Sequence, residues 1–239
     1  VFRERVYRRD LHTGDMEAYE VKEGESDLFI RTSVRLYDEA LKALRKARAD
    51  ISSYLRENPL FHTSLSPLAF DPEAPDIVQD MLAAAIRADV GPMAAVAGAV
   101  AEQVGLHLVT FSDDIIIENG GDIYMNSPSA QTVSIFTDNV HFASKLKLRI
   151  SPERMPCGVC TSSGVIGPSL SFGKADAVTV ISPSASLADA AATALGNIVK
   201  TEDDIEKALE RAQSIEGVTG VVIVTGRRMG AWGPAVELA

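Results

Sequence analysis

Leu36, Ala40, Leu44 and Ala47, then Ile51 and Leu55, recur at helical spacing, with Lys42, Arg45, Lys46 and Arg48 mostly off that face. The pattern predicts a long amphipathic helix over 34–56, ended by Asn58-Pro59. Before it, alternation predicts strands over 2–9 and 17–33, the second broken by a turn at Glu23-Gly24-Glu25-Ser26. After it, 59–75 carries Pro59, Pro67, Pro72 and Pro75 without periodicity, which predicts a long surface loop.

A second helix is expected over 76–88, broken by Gly91-Pro92. The third, 93–104, consists almost wholly of small residues, so its backbone is expected to lie close to whatever it packs on. Strands are expected at 106–111 and 114–118. Ile115, Ile116 and Ile117 are three β-branched residues in a row, as in a strand buried on both faces. That run ends in Glu118-Asn119-Gly120-Gly121-Asp122, read as a tight hairpin with a polar tip. Further strands are expected near 121–125, 131–136 and 145–150. The stretch 157–173, CGVCTSSGVIGPSLSFG, has the composition of a site loop. Then come a strand at 177–181, a small-residue helix at 186–199, and a helix to about 214 capped by Thr201-Glu202-Asp203-Asp204. A strand pair, 218–225 with 235–238, closes the chain. The similarity of 93–118 to 186–224 suggests that the two small-residue helices pack together. The expected class is α+β, mostly antiparallel sheet with Ala-rich helices packed against it.

The chain has 239 residues, of which 46% are hydrophobic and 23% charged, an ordinary globular composition. A formal net charge of −10 argues against nucleic acid as partner, because binding a phosphate backbone needs clustered Lys and Arg. The local cluster Arg3, Arg5, Arg8, Arg9 reads as the solvated face of a strand. No apolar run reaches about eighteen residues, so no membrane partner is expected. Two cysteines and no evident leader lead to an expected cytoplasmic setting.

Ser186-Leu187-Ala188-Asp189 has the Ser-x-x-Asp spacing of a helix-capping box. Thr193 lies four residues on and shares a helical face with Asp189. A carboxylate and a hydroxyl so placed also suit a hard cation such as Mg²⁺. Cys157 and Cys160 form a C-x-x-C, read as a thiol redox pair or half a metal site; no second C-x-x-C supplies the other ligands. Gly167 to Lys174 fails as a Walker A loop, since five residues separate the glycines and Ala175 replaces the hydroxyl residue. The loop can still cradle an anion through backbone N–H groups and the hydroxyls of Thr161, Ser162, Ser163, Ser169 and Ser171.

Asn119-Gly120-Gly121-Asp122, Thr161-Ser162-Ser163-Gly164 and Ala188-Asp189-Ala190-Ala191-Ala192-Thr193-Ala194-Leu195, in that order, resemble the ApbE-like superfamily of FAD:protein FMN transferases. The resemblance runs from about residue 91 to 199 and implies a single ApbE-like domain over 1–239 with a divergent amino-terminal part, about 1–75. It implies Asp189 and Thr193 as Mg²⁺ ligands, with the metal on the pyrophosphate of FAD or a related nucleotide. Gly120, Gly121, Asp122, Thr161, Ser162, Ser163 and Gly164 would then line the nucleotide site. A homodimer is expected by analogy.

Two family features are missing. Where the transferases carry Gly-Gly-x-x-Lys-Gly, this chain reads Gly91-Pro92-Met93-Ala94-Ala95-Val96-Ala97-Gly98, without lysine. Where they carry His-x-x-Asp-Pro, it has Pro168 followed by Ser169-Leu170-Ser171. The chain thus looks like a divergent branch that binds a small nucleotide-like ligand with Mg²⁺, its enzymatic form being a transferase acting on a diphosphate. The alternatives are a non-catalytic binding or scaffold protein with a degenerate site, and a thiol redox protein.

Overall fold

A computed structural model describes residues 16–137, 139–142, 146–164 and 173–239. The strand expected over 2–9 and the loop residues 165–172 lie outside the described residues. At the centre is an eight-stranded sheet in which every pairing is antiparallel. In spatial order it contains β1 (Glu17–Glu23), β2 (Ser26–Thr32), β3 (Ile115–Asn119), β4 (Asp122–Asn126), β7 (Cys157–Ser162), β8 (Ala177–Ser182), β9 (Gly220–Thr225) and β10 (Arg228–Trp232). A separate pair, β5 (Gln131–Ser134) and β6 (Lys147–Ile150), lies between β4 and β7 in the chain. The class is the expected α+β.

One face of the large sheet carries the helices. These are α1 (Tyr37–Glu57), α2 (Pro59–Thr63), α3 (Asp76–Ala88), α4 (Val96–Leu108), α5 (Ala185–Ile198) and α6 (Ile205–Gln213). The buried side of α1 is Ala40, Leu44, Ala47 and Ile51, the stripe that helical spacing predicts. A continuous apolar core joins these helices to Ile115, Ile117, Tyr124, Cys160, Val178 and Val180. The opposite face packs β5 and β6 over Ile116, Met125, Cys157, Val159, Ala177 and Ile181. The isoleucine run of β3 therefore feeds both cores, and all three residues are buried.

Several expectations need correction. The strand expected over 106–111 does not form: α4 continues to Leu108, because that apolar segment keeps a helical face on the core. The proline-rich stretch holds α2, which starts with Pro59 at its first position, where a missing N–H is harmless. The first residues of the Gly- and Ser-rich stretch are a central strand, β7, with Cys157, Gly158, Val159 and Cys160 buried. The carboxyl-terminal partner of β9 is β10, and around 235–238 only the bridge Leu148–Leu238 forms. The capping box at Thr201 and Asp204 is present.

The C-x-x-C does not make a thiol pair. Successive strand residues point to opposite faces, so positions three apart in β7 cannot share one. Cys157 joins the core beneath β5 and β6, and Cys160 joins the helical core. Both thiols are free and buried, with the sheet between them. Desolvation pushes the Cys157 thiol up to about 12 and holds the Cys160 thiol well above its usual range, so both are poor nucleophiles.

Candidate functional site

The site is built where the β3–β4 hairpin tip meets α4, α5 and β7. Asn119 pairs with Asp122 across the two-residue turn Gly120-Gly121. Both glycines have positive φ, 72° and 113°, as a type I′ turn requires and side-chain-bearing residues resist. The Asn119 side-chain amide donates to the carbonyl of Ala97 at 3.0 Å, tying the turn to the start of α4. On the other side, the Thr161 N–H of β7 donates to the Gly121 carbonyl at 3.3 Å.

Helices α4 and α5 approach closely at this point. A Cβ on Gly98 would sit 2.2 Å from the Ala185 carbonyl oxygen and 2.9 Å from the Asp189 Cβ, so only glycine fits. The Gly98 N–H, in the first turn of α4, donates to Asp189 Oδ2 at 2.9 Å. Asp189 therefore caps the neighbouring helix. The cap of its own helix is Ser184, whose hydroxyl accepts from the Leu187 N–H at 3.2 Å. The capping box expected from Ser186 to Asp189 does not form, because α5 starts earlier than the sequence signal suggested.

The reverse connection comes from Glu102 of α4. Its Oε2 accepts from the Ser184 hydroxyl at 3.1 Å and from both the N–H and the hydroxyl of Ser186 at 3.0 Å. Burial raises the Glu102 pKa, and these three donors oppose the rise. Glu102 was not singled out from the sequence. The available signal was a lone carboxylate among small apolar residues in MAAVAGAVAEQV.

Asp122 lies on the helical side of the sheet, directly across from Cys160. Only 8% of the residue is exposed, and its Oδ1 is buried without a hydrogen-bond partner. Desolvation pushes its pKa well above the ordinary carboxylate range, and the Asp189 charge pushes it further. Asp189 stays partly accessible, but its carboxyl group is enclosed, and desolvation raises its pKa to about 7 against the opposing bonds from Gly98 and Ala97. Two enclosed carboxylates side by side either keep a proton or gain from a cation.

The remaining expected residues divide. Thr193 follows Asp189 by one turn of α5 and is half-buried. Ser162 pairs with Val178 of the helical core, which puts its side chain on the side of α5. The Thr161 hydroxyl points to the other face, 2.8 Å from the Thr179 hydroxyl, so only its main chain reaches the turn. Ser163 and Gly164 follow the strand, with the Gly164 N–H donating to Ala175 O at 3.0 Å. Among the described residues, no group of three or more His, Cys, Asp or Glu side chains is arranged to hold a metal. No single helix among them is long and apolar enough to cross a membrane.

Known proteins resemble this chain in sequence or in fold. A UPF0280 protein of Methanococcus maripaludis is 39% identical over 209 residues, 85% of each chain. A UPF0280 protein of Methanothermobacter thermautotrophicus is 40% identical over 215 residues, 88% of this chain and 83% of that one. In solved structures, a variant of the flavin transferase ApbE from Vibrio cholerae superposes with a TM-score of 0.60 at 11% identity, covering 93% of this chain and 98% of that one. The flavinyl transferase ApbE of Pseudomonas stutzeri, in its apo form, gives 0.55 at 14% identity, covering 92% and 95%. Residues 8–231 match the family model described as AbpE bacteria. The chain belongs to that family, as a divergent ApbE-like branch with UPF0280 relatives and the fold of the ApbE flavin transferases.

Proposed function

We propose that this protein binds a flavin nucleotide such as FAD, or a related nucleotide with a diphosphate, together with Mg²⁺. The observation that carries the reading is the enclosed pair Asp122 and Asp189, with one oxygen of Asp122 lacking any hydrogen-bond partner. A buried carboxylate oxygen without a donor is costly, and a cation relieves it. The donor set fits Mg²⁺, which favours carboxylate and hydroxyl oxygens and keeps several waters or phosphate oxygens. Asp189 and Thr193 would hold the metal. When bound, Mg²⁺ would neutralise negative charge on the diphosphate, which is the electrostatic help that diphosphate chemistry needs.

The protein's own contributions follow from the packing. The Gly120-Gly121 turn has no side chains to keep a ligand from the backbone. Asn119 and the Gly98 N–H fix the turn and Asp189 to the start of α4. The Ser162, Ser163 and Gly164 segment supplies hydroxyl and main-chain groups beside α5.

Thermal unfolding tests the reading, because a ligand that binds only the folded state raises Tm. FAD with Mg²⁺ is expected to raise Tm by several degrees, and chelator to abolish the rise. Identical melting across flavin and adenine nucleotides, with Mg²⁺ and with chelator, would refute it. A second reading, a binding protein without turnover, is favoured by the segment 91–98, which has no lysine and is tightly packed: a Cβ on Gly91 would collide with the Ser64 carbonyl. Release of AMP from FAD, lost in Asp189→Asn, would exclude it.

A further inference from the structure

Two carboxylate oxygens among the described residues are buried without a hydrogen-bond partner, Oδ1 of Asp114 and Oδ1 of Asp122. Asp114 has the charge of Arg31 beside it. The charged groups that act on Asp122 are Asp189 and Glu118, both acidic. An unbonded carboxylate oxygen enclosed among other carboxylates is an arrangement that a folded chain avoids unless something positive completes it.

The neighbours cannot supply that completion. Glu118 Oε1 is occupied by the Gly121 N–H at 3.1 Å. Position 118 also belongs to the sheet face opposite Ile117, away from the helices. The Cys160 thiol, which also donates to the Ala185 carbonyl at 3.4 Å, and the Thr161 main chain both act on Asp122 as hydrogen-bond partners that lower its pKa, but neither brings a positive charge and Oδ1 stays without a partner. Asp122 and Cys160 are opposite each other on β4 and β7, and that thiol reaches the first residue of α5. Asp122 therefore faces the helix that carries Asp189 and Thr193.

We propose that Asp122 is itself a ligand of the divalent cation, forming with Asp189 a two-carboxylate site that takes up the metal before any nucleotide arrives. The inference rests on the reading that a cation binds at Asp189, and it adds a residue and an order of binding. One carboxylate and one hydroxyl leave a divalent cation half-neutralised, so such a site depends on the ligand's diphosphate to complete it. Two carboxylates neutralise the ion by themselves. Because fewer than three acidic or soft side chains are arranged for a metal among the described residues, the remaining positions belong to the Thr193 hydroxyl, main-chain oxygens and water. Such a site suits a cation that stays largely hydrated.

The experiment titrates Mn²⁺, as a stand-in for Mg²⁺, into the full chain without nucleotide. Bound and free ion are separated by calorimetry and by electron paramagnetic resonance. Wild type is expected to bind one Mn²⁺, and Asp122→Asn and Asp189→Asn are each expected to weaken binding at least tenfold. Asp122→Ser, which removes the charge with less volume, serves as the second variant at that position. In chelator, both Asp122 variants are expected to melt at or above wild type, since they remove an uncompensated charge. If both melt well below it, the carboxylate is structural and the inference falls. If Asp122→Asn binds Mn²⁺ like wild type while Asp189→Asn does not, this inference falls and the Asp189 site stands. Binding only when FAD is present also overturns it, leaving the nucleotide reading intact. No binding with or without FAD sinks both.

Discussion

Helices α4 and α5 each lend a carboxylate to the first turn of the other, and the two carboxylates are not equivalent. Glu102 meets three donors from Ser184 and Ser186 on a single oxygen. Asp189 meets main-chain donors at the start of α4 and has a second carboxylate, Asp122, beside it. The first pair of partners is complete within the chain. The second has surplus negative charge. Both are buried acids on small-residue helices, so burial alone does not separate structural from functional carboxylates. The separation comes from counting what each oxygen has to bind.

That difference is tested most strongly at Glu102. Replacing it with Ala is expected to cost about 3 kcal/mol, because it strands the Ser186 N–H and two hydroxyls in a closed space. Urea unfolding measures it, and the loss should be the same with Mg²⁺ or chelator. A loss that appears only with Mg²⁺ would make Glu102 part of the site and erase the distinction.

Gly98→Ala acts on both sides at once. The added methyl would lie 2.2 Å from the Ala185 carbonyl oxygen, so the helices must separate. A cost of about 2 kcal/mol is expected, of the size seen for overpacked cores. Weaker Mg²⁺-dependent stabilisation should accompany it, because the Asp189 contact shifts. Unchanged urea and Mg²⁺ titrations would show that the interface is looser than the packing implies.

The effect of Asp189→Asn depends on pH and vanishes in acid. The Asp189 pKa is raised by desolvation to about 7, above the unfolded value near 3.8. Between those values the folded protein holds a proton that the unfolded chain has released, so wild-type stability falls as pH rises from about 4 to 7 and then levels off. Metal-free Asp189→Asn lacks this fall. It is expected to match wild type near pH 4 and to be the more stable of the two at pH 8, as read by urea unfolding at both pH values. Mg²⁺ should remove that advantage by stabilising wild type alone. Parallel pH profiles for the two proteins would mean that the carboxylate is solvated well enough to ionise freely.

Much of the scaffold was legible because it rests on periodicity. The α1 stripe, the isoleucine run of β3 and the glycine turn after it all follow from local spacing. The failures have a common physical source. The segment 106–111 has the composition of a strand, yet its first three residues extend α4 and the rest is a turn, since Leu108 is buried in the helical core. CGVC looks like a motif because its cysteines are close in sequence, while the alternation of a strand sends them to opposite cores. Ser186 to Asp189 has the spacing of a box, but Ser186 bonds to Glu102 and Asp189 to Gly98. Those bonds span 84 and 91 residues of chain, so no local window contains them. The residues of the site were identifiable by type, and their partners were not.

The exchange of carboxylates between α4 and α5 also governs how the molecule can move. A helix end that is capped by its own residue can fray alone. Here, releasing the first turn of α4 uncovers Asp189, and releasing that of α5 strands Glu102. Neither end can open without exposing charge on the other, so the two first turns form one cooperative unit. Amide protons at Gly98 and Ser186 would then exchange with solvent together, through the same rare opening.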